Sequence, residues 1–147
     1  MNNLQAYSSL DHKPKLLVIV NRTVKDLEKI ADQIISEYHF SFVCLGKEIS
    51  QLLITEPHSQ YTYMIVDWLS KQINEIDNEP VLLKDIDLLF DPSLGLDPLT
   101  LFKQISKVKE LIVLWPGEFN NKNLSYASPE HAHYRTWANP GVEIIQA

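Results

Sequence analysis

From Lys15 to Val20 the chain reads KLLVIV, a run with no polar interruption after its first residue, bounded by Pro14 and Asn21. So short and uniformly apolar a run predicts a strand buried on both faces, the situation of a central strand in a parallel sheet. The period then changes. Over Thr23 to Tyr38, Val24, Leu27, Ile30, Ala31, Ile34 and Ile35 recur at steps of three and four, which gathers them on one stripe of a helix. Thr23 is placed to cap its start and Asp26 lies in the first turn. Phe40 to Leu45 (FSFVCL), rich in aromatic and branched residues, predicts a second strand; Glu48 to Ile54 predicts a brief helix, ended by Pro57.

Tyr61, Met64, Ile65, Trp68, Leu69 and Ile73 form a stripe of large side chains at helical spacing. After Pro80, Val81 to Leu83 starts a buried strand, and alternating acidic and apolar residues continue to Phe90, an extended run in which Asp85 and Asp87 share a face. In Asp91-Pro92 and Asp97-Pro98 a capping carboxylate precedes the residue best suited to a first helical turn, and Leu99 to Lys107 predicts a helix. Glu110 to Trp115 (ELIVLW) predicts a third buried strand, closed sharply by Pro116-Gly117. Beyond it, Leu124 to Ala127 predicts a strand, Pro129 to Trp137 a short helix and Val142 to Ile145 a last strand. Apolar strands separated by helices pair in parallel, because each connection crosses over the sheet and covers a face. The expected fold is α/β: a three-layer sandwich around a mainly parallel sheet of about five strands. Residues 1–147 are expected to form a single domain, with 1–13 a flexible N-terminal segment.

Composition narrows the function. With 147 residues, 45% of them hydrophobic, one core is affordable. No apolar run approaches the roughly 18 residues of a membrane span, and Met1 to Leu10 is too polar for a secretory signal, so a cytoplasmic protein with no membrane partner is expected. The single cysteine, Cys44, sits between Val43 and Leu45 and reads as a strand residue rather than a nucleophile. The formal charge of −6 disfavours direct nucleic-acid binding. Acid is concentrated between Glu75 and Asp97, where Glu75, Asp77, Glu79, Asp85, Asp87, Asp91 and Asp97 face one cation, Lys84. Turn and cap chemistry accounts for such a cluster, as does a metal site or a docking face for a basic partner.

Ligands of open parallel sheets bind where strands end and helices begin. The turn after Val20 reads Asn21-Arg22-Thr23-Val24-Lys25, without the glycines that let backbone N–H groups converge on a phosphate. Of the four glycines only Gly46, followed by Lys47, resembles the end of a phosphate loop, and there Ser41 and Glu48 occupy the first-glycine and hydroxyl positions. At the end of the Val81 strand, Lys84 stands where a magnesium carboxylate would be needed and Asp85 where a base would be. An ammonium cannot ligate a cation. His131 and His133 would share a face only on extended backbone, which Pro129 argues against, and no metal site is expected. Arg135 is expected to stack on Tyr134 or Trp137, and Trp115 would obstruct the strand end where ATPases often keep a polar sensor.

Asp87-Leu88-Leu89-Phe90-Asp91-Pro92-Ser93-Leu94, then Leu96-Asp97-Pro98-Leu99, Trp115-Pro116-Gly117 and Leu124 to His131 (LSYASPEH) carry a resemblance. In order and spacing they look like the C-terminal half of BrxF, the small P-loop-containing protein of type 3 BREX phage-exclusion systems, over roughly Phe40 to Tyr134. The resemblance implies a minimal P-loop NTPase scaffold in a bacterial antiviral system, in company with a large AAA-type ATPase and a DNA methyltransferase. It places the family's phosphate loop on Asn21 to Lys25 and its Asp-Asn pair on Lys84 and Asp85, so both nucleotide motifs are degenerate here. Asn21, Arg22, Thr23, Lys25, Lys84 and Asp85 are then vestigial nucleotide-site positions, with no catalytic residue and no cofactor. The expected function is a non-catalytic accessory or assembly component acting through protein–protein interaction, with Asp87, Asp91 and Asp97 as candidate partner-binding residues. The alternative is a divergent ATP-binding or ATP-hydrolysing protein using Lys25 or Lys47 as phosphate cation and Asp85 as base.

Overall fold

The computed structural model describes residues 15–53, 60–78 and 80–147; the expected N-terminal segment, Pro57, His58 and Glu79 lie outside the described residues. Five strands run in parallel in the order β2-β3-β4-β1-β7: β1 (Leu16–Asn21), β2 (Phe42–Cys44), β3 (Val81–Lys84), β4 (Leu111–Asn120) and β7 (Glu143–Gln146). The α/β class, the parallel pairing and the number of parallel strands agree with the sequence-based expectation. Alternation along β1 shows why its run is apolar throughout. Leu16, Val18 and Val20 face one core, Leu17 and Ile19 the other, and all are buried. Helix α1 (Val24–Tyr38) covers the second face through Leu27, Ala31 and Ile34. Helices α2 (Leu45–Leu53), α3 (Tyr61–Asn74) and α4 (Pro98–Ile105) cover the first, which makes the layers three.

The strand expected to end at Pro116-Gly117 instead runs on to Asn120. Up to Asn21↔Pro116 it pairs in parallel with β1; from Gly117↔Tyr126 it pairs antiparallel with β5 (Asn123–Tyr126), which pairs in turn with β6 (Arg135–Ala138). Pro116 has no N–H to give a ladder, and it falls where one ladder hands over to the next, its carbonyl accepting from the Ala127 N–H at 3.0 Å. Gly117 is required for a different reason: a Cβ there would fall on the Ser125 carbonyl oxygen. The expected Pro129–Trp137 helix is absent as well. Residues 128–134 turn, with His131 N–H bonded to Ser128 O and Tyr134 N–H to His131 O, before β6 begins. Arg135 and Trp137 are half-buried while Thr136 and Ala138 are exposed, the two-residue period of a strand.

A third difference bears on the site. The expected extended run from Val81 to Phe90 stops at Lys84; Asp85 takes a left-handed conformation (φ 55°) and residues Asp87–Phe90 form a 3₁₀ turn. Ile86, Leu89 and Phe90, spaced by three and four, are all fully buried, so burial selects a turn rather than a strand here. Asp85 and Asp87 therefore do not share a strand face. Asp91 caps a second short turn, Pro92–Leu94, and Asp97 caps α4.

An aromatic cluster ties the β5–β6 hairpin to the parallel sheet. Phe90 stacks on Tyr126 with ring centres 3.8 Å apart and meets Trp115 edge-on at 4.9 Å; Trp115 meets Trp137 at 5.2 Å. Each such pair adds roughly 0.5–1.5 kcal/mol beyond area burial. The fully buried Trp115 indole N–H donates to Ser125 O at 2.9 Å, which locks β4 to β5 through a side chain. Gly117→Ala, which forces β5 away from β4, is expected to cost about 3 kcal/mol, the upper end of overpacking penalties; urea unfolding followed by tryptophan fluorescence measures it, and a loss under about 0.5 kcal/mol would contradict the close approach.

Candidate functional site

The carboxyl ends of β1, β3 and β4 form the edge that carries Asn21, Arg22, Thr23, Lys84 and Asp85, expected from the sequence to mark a nucleotide-site position. Only two residues, Arg22 and Thr23, separate β1 from α1. The head of α1 is closed by the chain itself: Asn21 Oδ1 accepts from the Thr23 N–H (2.8 Å) and hydroxyl (3.2 Å), and the Thr23 hydroxyl accepts from the Asp26 N–H (3.3 Å). A helix head is a ready anion site only while its N–H groups point at the anion. Here two side chains take that place. Asn21 Nδ2 also reaches Ala147 O at 3.2 Å, which fixes the side chain from its other end.

The remaining vestigial residues are drawn apart. Arg22 pairs with Glu118 across the edge, and Lys25 is exposed on the first turn of α1. Lys84 leaves β3 on the α1 side, its Nζ 3.5 Å from Glu28 Oε2 and 5.4 Å from the Phe42 ring centre. Asp85 turns to the opposite side, over the start of α2. Its carbonyl accepts from the Gly46 N–H (2.9 Å), its carboxylate lies where a Gly46 side chain would be, and the Cys44 thiol points at its Oδ2 from 3.7 Å. Lys84 and Asp85 thus lie toward opposite faces of the sheet edge. Gly46 and Lys47, the other sequence candidates for a phosphate loop, lie inside the first turn of α2. Burial and the Asp85 carboxylate raise the Cys44 pKa, the opposite of what a nucleophilic thiol needs.

Between the first turn of α1 and the end of β3, bounded by Val24, Glu28, Lys84 and Asp85, the open volume is about 10 Å³. That holds one water at most. Larger cavities flank the Arg22–Glu118 pair. One, of about 330 Å³, lies over β1, β4 and β7 and is edged by Asn21, Asn120 and Gln146; the other, of about 280 Å³, lies between Val24, Asp87, Pro116, Tyr126 and Ala127.

All three acids expected to face a partner hold part of the fold. Asp87 Oδ1 accepts from the Tyr126 hydroxyl at 2.6 Å. Asp91 accepts from the Ser93 N–H at 2.9 Å. Asp97 accepts from the Thr100 N–H at 3.2 Å and from the Trp137 indole N–H at 3.2 Å, with the Arg135 guanidinium 3.9 Å away. Arg135 stacks over Trp137, 5.0 Å from its ring centre, as the sequence suggested. His131 and His133 lie in the turn before β6, with His131 Nδ1 accepting the His133 N–H at 2.9 Å, and among the described residues no group of His, Cys, Asp and Glu is placed to hold a metal. Among the described residues no helix is long and apolar enough to cross a membrane.

Tyr126, Glu118 and Ala127 line this edge without having been singled out in the sequence, because the hairpin that presents them was not foreseen. Searches against family models, curated proteins and solved structures return no match for this chain.

Tyr126 is buried, and that burial, with the adjacent Asp87 carboxylate, pushes its pKa well above the usual 10. The folded chain therefore keeps this proton after the unfolded chain has released it. The resulting stability is complete below about pH 10 and declines above it, by up to about 1.4 kcal/mol per pH unit. Tyr126→Phe is expected to lose about 2 kcal/mol at pH 7 and to fall less steeply above pH 10. Parallel stability–pH curves for the two proteins, from urea unfolding between about pH 7 and 11, would contradict this.

Proposed function

We propose that this chain is a P-loop-like domain without competent ATP binding, a cytoplasmic accessory or assembly subunit of a BREX-type bacterial phage-defence system that works through protein–protein contact. The observation that carries the non-catalytic part is the capped turn after β1: Asn21 accepts the Thr23 N–H and Thr23 the Asp26 N–H, and only about 10 Å³ is open between the head of α1 and the end of β3. A triphosphate needs converging amides, a cation and a magnesium carboxylate. At the corresponding positions stand a self-capped turn, an arginine paired with Glu118, and a lysine drawn to Glu28. The defence system is supported by the resemblance alone, through the segments from Asp87 to Leu94, Leu96 to Leu99, Trp115 to Gly117 and Leu124 to His131. The central place of β4 between β1 and β3 fits a P-loop ATPase's sensor strand, here carrying a buried indole at Trp115.

The partner the resemblance implies is a large AAA-type ATPase. Asp87, Asp91 and Asp97 are each partly exposed and lie along the chain that follows β3, offering negative charge to a basic surface. The formal charge of −6 opposes a nucleic-acid partner.

Two measurements test this function. Calorimetric titration with ATP and Mg²⁺ is expected to give no binding; a Kd tighter than about 100 μM, roughly 5.5 kcal/mol, favours the divergent ATP-binding alternative. Because the three acids also accept internal hydrogen bonds, charge is best removed with the acceptor kept: Asp87→Asn, Asp91→Asn and Asp97→Asn combined. This variant is expected to stay folded and to lose co-purification with a co-expressed BREX-type AAA ATPase. Undiminished recovery would reject the acidic surface.

A further inference from the structure

In an open α/β sheet, ligands settle outside the carboxyl ends of the strands, where successive connections leave on opposite faces. Among the described residues there is one such place. After β1 the chain crosses to the face covered by α1; after β3 it crosses to the other face, through Asp87–Phe90 to α4. The crevice between these two departures is the cavity of about 280 Å³ beside Asp87 and Tyr126.

Its size and lining select an occupant. At about 280 Å³ it lies at the small end of the roughly 300–1,000 Å³ of small-molecule pockets, with room for one long side chain. Val24, Pro116 and Ala127 supply apolar wall, and Tyr126 contributes an aromatic edge. The charged side chains on it are Asp87, Glu118 and Arg22, and Arg22 is paired with Glu118. That leaves the Asp87 carboxylate in excess. Asp87 accepts the Tyr126 hydroxyl on Oδ1, while an ionised carboxylate has about four acceptor sites. An anion is repelled here and a cation is drawn in.

We propose that this cavity is a socket for an arginine side chain of the partner protein. The inference rests on the interaction reading above and adds where and by what chemistry the contact is made. Guanidinium is favoured over ammonium because it is more weakly hydrated, stacks on aromatic rings and forks onto a carboxylate. The molecule already uses this chemistry: Arg135 lies over the Trp137 ring while approaching Asp97. The Tyr126 hydroxyl fixes the carboxylate in place before the arginine arrives, which lowers the ordering cost of binding.

The direct test uses N-acetyl-arginine amide as probe, titrated into the full chain labelled with ¹⁵N. Saturable amide shifts are expected at Val24, Gly117, Ala127 and Ser128, with a Kd on the order of 1 mM. Asp87→Asn is expected to weaken binding at least tenfold, and N-acetyl-glutamate amide to give no shift. Absence of shifts with the arginine probe, or equal shifts with the glutamate probe, overturns the socket. For the partner itself, Val24→Trp or Ser128→Trp fills the cavity from opposite walls and leaves all three acids in place. Either is expected to abolish recovery of the co-expressed ATPase. Recovery retained by both folded variants, but lost in the triple asparagine variant, overturns the socket and leaves the acidic surface standing; recovery retained in all three rejects both.

Discussion

A helix begins with backbone N–H groups that no residue of its own can satisfy, and at the head of α1 the source of the acceptors decides what this sheet edge can do. A phosphate loop leaves those donors open to an anion. This chain instead spends Asn21 on Thr23 and Thr23 on Asp26, across a connection of only two residues. The cap is worth about 1 kcal/mol to the helix. Its greater effect is exclusion, since α1 then sits against the end of β3 with space for one water between them. The divergence of Lys84 and Asp85 has its own cause, the left-handed backbone at Asp85 that turns its carbonyl to the Gly46 N–H while Lys84 reaches Glu28.

The acidic stretch illustrates how one residue type divides between folding and recognition. Asp91 and Asp97 each accept a backbone N–H at the head of a turn or helix, and Asp97 and Asp87 each anchor one aromatic N–H or O–H. Charge-assisted bonds of this kind contribute more than neutral ones, roughly 1.5–3 kcal/mol. Without the Asp87 carboxylate, the Tyr126 hydroxyl would be an unsatisfied group in an aromatic core. A partner that binds this surface therefore meets carboxylates already held in place. Charge reversal there would perturb folding and contact together, which is why an amide at each position separates the two.

Much of the scaffold was legible because burial on two faces leaves a simple signature. The uninterrupted run in β1, the stripe of α1 and the Asp-Pro caps all read directly. The hairpin did not. Its turn, Asn121-Lys122, has both residues at positive φ (51° and 64°), but lysine stands where the usual hairpin signal has glycine. Pro116-Gly117 reads as a stop, since nothing local reveals that glycine admits the Ser125 carbonyl. The alternation from Val81 to Phe90 misled for a related reason: Ile86, Leu89 and Phe90 fit both a strand and a turn until the core beneath them is known. At the site, the missing glycines and the Lys84 ammonium were readable as defects; the cavity beside Tyr126 was not, because its walls come from four separate segments.

Two of the strained backbone positions of this chain lie near this edge. Asp85 and Ala127 both occupy left-handed backbone at φ 55° and 62°, Asp85 over the start of α2 and Ala127 on the wall of the crevice. Aspartate tolerates that region through local hydrogen bonding, but alanine has no such compensation, and the cost is roughly 1–2 kcal/mol. Ala127 is held there by its own N–H on Pro116 O and by the aromatic stack of its neighbour Tyr126 on Phe90. The consequence is geometric: the turn at Ala127 carries Ser128 and His131 around the mouth of the cavity instead of letting β5 run on across it. Such strain clusters at ligand clamps. Here the turn at Ala127 takes the chain past Asp87, whose carboxylate holds the Tyr126 hydroxyl on the same wall of the cavity.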